Sequence, residues 1–127
     1  MPALIDDLLN ILHSTFLIKS TRIVSFDESP SGQLEVKIRC RLPESYQFQI
    51  WLHQDATSLD YAYQLFTDVP LLRWDNAPHY PGISTSPHHF HDENNRVSQS
   101  PLTGTPSVDL RWVLAQVETW LKSREAY

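Results

Sequence analysis

Residues 33 to 41, QLEVKIRCR, alternate without a fault: Leu34, Val36, Ile38 and Cys40 are apolar, while Glu35, Lys37, Arg39 and Arg41 are charged. A period of two sends successive side chains to opposite faces of a strand, so this segment has one face to bury and needs a second layer against it. The pattern recurs. After Pro43, Tyr46, Phe48, Ile50 and Leu52 alternate with Gln47, Gln49, Trp51 and His53, and beyond the QDATS break come Leu59, Tyr61, Tyr63 and Leu65. Residues 21 to 26 are β-branched and aromatic and lead into the turn cluster ESPSG, so the runs on either side of it read as a hairpin. A fifth short strand is expected at residues 71 to 74. Connections this short favour an antiparallel meander, because parallel neighbours need longer crossovers.

The ends of the chain supply the covering layer. Leu4, Ile5, Leu8, Leu9, Leu12 and Phe16 recur at helical spacing behind Pro2, with Asp6 and Asp7 where a helix dipole favours anions. Leu110, Val113, Leu114, Val117, Trp120 and Leu121 make the second apolar stripe, with Thr105 and Pro106 placed as N-cap and first helical residue. Trp112 falls opposite that stripe, where it is either a partner surface or a residue covered by a loop. The expected fold is α+β: an antiparallel sheet of about five strands with N- and C-terminal helices packed on one face, in a single domain over residues 1 to 127.

The length of 127 residues suits one core. Cys40 stands alone, so no internal disulfide forms, and Asp6, Asp7, Asn10 and His13 interrupt the apolar positions that an export signal would need. No run approaches a membrane span, and a cytoplasmic location is expected. The net charge of −5 counts against whole-surface attraction to nucleic acid and restricts such contact to a local basic patch.

Residues 76 to 104 fit neither period, although HHFH suits a short extended piece. Loops longer than about 15 residues in a compact domain tend to be functional or disordered. Four of the six histidines, His79, His88, His89 and His91, lie here behind Arg73, Asp75 and Asn76. Histidine serves proton transfer near neutral pH and also ligates metals. On an extended backbone His89 and His91 share a side and His88 takes the other, which offers a divalent metal such as zinc or manganese two ligands, with a third from His79, Asp75 or Asp92. Neither thiolate pairs nor a helical H-E-x-x-H accompanies them, so the alternative ligand set His79, His89 and His91 is not a zinc motif.

The other chemistry is RNA cleavage by its own 2′-hydroxyl, which needs a base, an acid and a cation and no cofactor. Arg73, His79 and the group 88/89/91 provide that inventory, with Asp75 to orient a tautomer. Tyr61 and Tyr63 offer base stacking, and Lys37, Arg39 and Arg41 a phosphate stripe. Each has a plainer reading: the tyrosines as core, the basic stripe as a solvated strand face, Arg73 and Asp75 as a mutual pair, and the histidines as a loop held by imidazole hydrogen bonds.

RWDNAPHYP followed by SPHHFH resembles the signature of the TumE-like toxin family of prokaryotic toxin–antitoxin modules, an Arg-aromatic-Asp-Asn-Ala-Pro-His block ahead of a Pro-His-His-x-His block. Tyr80 stands where a second His is common and Phe90 where a Lys is common, and loss of that Lys weakens phosphate attraction. The resemblance points to Arg73, Asp75, Asn76, His79, His88, His89 and His91 as site residues. It implies a small toxin acting on RNA and a cognate antitoxin as partner, with no membrane partner and with homodimer formation open. The alternatives are a metal-binding module and a non-catalytic partner-binding protein built on the same loop.

Overall fold

In the computed structural model, which describes residues 1–125, the period-two segments pair in chain order into one antiparallel sheet, β1-β2-β3-β4-β5-β6-β7. The strands are β1 (Ser20–Glu28), β2 (Leu34–Arg41), β3 (Gln47–Gln54), β4 (Leu59–Phe66), β5 (Pro70–Asp75), β6 (His89–His91) and β7 (Val97–Gln99), framed by helices α1 (Ala3–His13) and α2 (Pro106–Glu125). The sheet thus has seven strands, not about five. The two extra ones lie inside the stretch 76–104, where three-residue strands are too short to declare a period.

Alternation decides which face is covered. Val36, Ile38, Cys40, Phe48, Ile50, Leu52, Tyr61, Tyr63, Leu65, Leu72 and Trp74 all point to one side and are buried. Ile5, Leu8 and Leu12 of α1 and Leu110, Val113, Leu114 and Val117 of α2 complete the same core cluster. Full burial of such side chains contributes about 1.5–3 kcal/mol each, so this layer, and not the polar face, holds the sheet together. Burial pushes the Cys40 thiol up to about 11, which leaves it an inert core residue.

The helix ends follow from local chemistry. The Ser14 and Thr15 hydroxyls both donate to the Ile11 carbonyl, at 3.0 and 2.7 Å, and end α1 at His13. Phe16 therefore falls beyond the helix and stands 94% exposed, outside the stripe its spacing suggested. At α2 the buried Asp109 carboxylate accepts from the backbone N–H groups of Thr103 and Gly104 and from the Thr103 hydroxyl, tying the incoming chain to the first turn. Gly104 takes φ +87° there, a conformation that a Cβ would strain. Trp112 packs edge-on against Trp74, with ring centroids 6.2 Å apart.

Candidate active site

Among the described residues no helix covers the opposite face of the sheet, and the register of β5 with β6 sets its chemistry: Arg73 pairs with His91, Trp74 with Phe90, and Asp75 with His89. Trp74 and Phe90 turn toward the core side, so Arg73, Asp75, His89 and His91 share the uncovered face. The turn after β6 fixes the register of β6 with β7. The Asp92 side chain accepts from the backbone N–H groups of Asn94 and Arg96 at 2.8 and 2.9 Å, and Asn95 adopts φ +60°, as Asx turns favour. On the other flank Thr85 donates to the His88 carbonyl at 2.7 Å and accepts from the Ser100 N–H at 3.0 Å.

Asp75, only 4% exposed, is the centre of the group. Its Oδ2 accepts from Arg73 Nε at 2.8 Å, and its Oδ1 accepts from the Ala77 N–H at 2.9 Å and lies 3.0 Å from His89 Nε2. A buried carboxylate is tolerated only with such compensation. His89 is 1% exposed, and its Nδ1 lies 2.9 Å from the Pro87 carbonyl. Both of its ring nitrogens therefore face acceptors, and neither is left to take a proton from a substrate.

His91 differs. Its Nε2 lies 3.5 Å from Asp75 Oδ2, and among the described residues no hydrogen bond occupies its Nδ1. Desolvation holds this imidazole below its ordinary pKa of 6.5 against the opposing pull of Asp75, with His89 and Arg73 adding to the depression. This favours the neutral imidazole, in which a proton on Nε2 facing Asp75 leaves the Nδ1 lone pair available. Tyr80 packs over both rings, with centroids 4.8 Å from His89 and 5.8 Å from His91. The Arg73 guanidinium reaches Gln64 Oε1 at 3.4 Å and remains partly exposed.

The other sequence-derived candidates lie apart from this group. His88 sits on the core side, its Nδ1 2.7 Å from the Tyr61 hydroxyl. Asn76 donates to the Leu59 carbonyl at 2.8 Å and accepts from the Tyr61 N–H at 2.9 Å, so both ends of its amide close the β4–β5 ladder. The His79 ring is exposed and makes no hydrogen bond or ion pair to Asp75, His89 or His91 among the described residues; its neighbour Tyr80 makes the contact. Tyr61 and Tyr63 are 1% and 0% exposed, so base stacking on them is corrected to core packing. Burial also raises both phenols far above their ordinary range. Lys37, Arg39 and Arg41 do lie on the uncovered face. The group able to hold a metal is Asp75, His89 and His91, whose ligand atoms lie within 4.8 Å of one another, so Asp75 replaces His79 in that alternative.

What fold and site define is a helix-backed antiparallel sheet with an Arg–Asp–His–His cluster on its open face. The sequence model of the family described as Toxin TumE matches residues 7–124, and the chain belongs to that family. It is accordingly a toxin component of a toxin–antitoxin system, and membership implies a cognate antitoxin. Neither the comparison with curated proteins nor that with solved structures gave a match. No helix among the described residues is long and apolar enough to cross a membrane.

Proposed function

We propose that the toxin is a ribonuclease whose open-face cluster cleaves RNA through the substrate's own 2′-hydroxyl. The observation that carries this reading is the pairing of Arg73 with His91, whose Nδ1 takes no hydrogen bond among the described residues. His91 Nδ1 takes the 2′-hydroxyl proton, the 2′ oxygen bonds to phosphorus, and the bond to the 5′ oxygen breaks. Tyr80, whose ring packs over His89 and His91, protonates that leaving oxygen, with the proton on His91 then restoring the phenol. Arg73 neutralises the charge gathered on the phosphorane, the kind of term that preorganised cations supply best. Asp75 and His89 are positioning residues: they hold Arg73 and His91 in place.

Metal binding is the second reading, favoured by one observation. His89 Nδ1 meets a backbone carbonyl at 2.9 Å while Nε2 faces Asp75, the orientation a metal-bound imidazole takes. Against it, Arg73 Nε already sits 2.8 Å from the same carboxylate, and a divalent ion there would meet a guanidinium.

Growth of cells expressing the protein tests the proposal. Wild type arrests growth, the antitoxin relieves the arrest, and His91→Ala and Arg73→Gln grow normally at equal protein level. Arrest by both variants would remove the cluster from the chemistry.

A further inference from the structure

Rows of paired residues run across the open face at right angles to the strands, and they are sorted by charge. One row reads Arg22, Arg39, Gln49, Gln64, Arg73, His91 from β1 to β6, with three guanidiniums, two amides, one imidazole and no carboxylate. Five inter-strand steps of about 4.8 Å make it about 24 Å long. Two of its neighbouring pairs are bonded: Arg39 donates to Gln49 Oε1 at 3.0 and 2.7 Å, and Arg73 to Gln64 Oε1 at 3.4 Å. The adjoining row reads Lys37, Trp51, Ala62, Asp75, His89. Apart from Asp75, which holds Arg73 and His91 from that adjoining row, the acids collect one row further on, as Asp27, Glu35 and Asp60 around His53. A chain with net charge −5 thus keeps a carboxylate-free line that ends at His91.

Trp51 has no part in the core. Its indole N–H donates to Glu35 at 3.3 Å, and its ring lies within 12° of parallel to that of His53, with centroids 6.4 Å apart. Ala62 separates it from Asp75, so no bulky side chain stands between indole and cluster in that row. Phe66, beneath the Arg39 guanidinium, adds a second aromatic face beside the basic row.

From this arrangement we infer that the open face binds single-stranded RNA, with its phosphates along the Arg22–Arg39–Arg73 row, a base stacked on Trp51, and the strand led to His91. The inference rests on the ribonuclease reading for its destination but not for its binding. A cationic groove beside an aromatic face is the recurring solution for single strands, because every base has a π-face to stack. A duplex buries those faces and lacks the stacking contribution.

The test measures fluorescence anisotropy of a labelled 2′-O-methyl RNA of about 12 nucleotides, a length within the range such grooves cover and with no 2′-hydroxyl to attack. Wild type should bind the single strand more tightly than the matching duplex. Trp51→Ala should weaken binding about tenfold or more and Trp51→Phe should restore part of it. Arg22→Ala and Arg39→Ala should each reduce the slope of log K against log salt by about 0.7. Equal affinity for single strand, duplex and a polyglutamate peptide, unaffected by Trp51→Ala in a folded variant, would overturn the inference. Binding with the expected Trp51 dependence but no cleavage of unmodified RNA would leave it standing and defeat the ribonuclease reading instead.

Discussion

His89 Nε2 lies 3.0 Å from Asp75 Oδ1, with one residue 1% and the other 4% exposed, so the two form a buried pair beneath the open face. Removing His89 leaves Asp75 with Arg73 and the Ala77 N–H but takes away its buried imidazole partner. His89→Ala is predicted to lower unfolding free energy by about 1.5–3 kcal/mol, the usual cost of losing a buried hydrogen bond to a charged group. His91→Ala, at the rim, should change it by about 1 kcal/mol or less. Urea denaturation of the two variants checks the contrast, and equal losses would place both imidazoles in the same role.

The depressed pKa of His91 fixes a direction for pH. Well above 6.5 the imidazole is neutral in folded and unfolded chains alike. As pH falls below 6.5 the unfolded chain takes the proton first, so this residue's contribution to stability declines through that window and is lost once pH passes its folded value. Cleavage should have an acidic limb below pH 6.5 for the same reason, because protonation removes the base. A limb centred above 7 would assign the base elsewhere.

Two core tyrosines give a matched stability test. The Tyr61 hydroxyl has a partner in His88 at 2.7 Å, while the buried Tyr63 hydroxyl has none. Tyr61→Phe should cost about 0.5–1.5 kcal/mol, and Tyr63→Phe should be neutral or stabilising. Both variants should cleave RNA at the wild-type rate, since neither ring reaches the open face. Loss of cleavage by a stably folded Tyr61→Phe would bring the core side into the mechanism.

Chelation separates the two chemistries of the cluster. Cleavage that uses only His91, Tyr80 and Arg73 persists in excess chelator, as no step calls on a Lewis acid. Stoichiometric zinc or manganese in purified protein, with activity lost on removal and regained on return, would make Asp75, His89 and His91 ligands.

Much of this architecture is legible in the residues themselves. The alternation at 34–40 and 46–52 marks the covered face, and the same parity puts Arg73 with Asp75 and His89 with His91. The sixth and seventh strands are hard to see because three residues carry no measurable period, yet DENN after His91 has the composition of the Asx turn that joins them. Tyr61 and Tyr63 alternate in phase with Leu59 and Leu65, which already argued for the core over base stacking. Trp51 alternates in the opposite phase, which places it, half-buried, on the open face. Nothing periodic governs residues 76 to 88, so the choice of Tyr80 over His79 as the residue above the imidazoles belongs to tertiary packing alone.

The most direct measurement follows the ends of a cleaved RNA. A labelled single-stranded RNA is incubated with purified wild-type protein, beside the same oligonucleotide made entirely of 2′-deoxynucleotides. The account predicts 2′,3′-cyclic phosphate and 5′-hydroxyl ends from the RNA, no cleavage of the deoxy strand, and loss of the reaction in His91→Ala. Cleavage of both strands, or an intact RNA in the presence of folded protein that arrests growth, would contradict it.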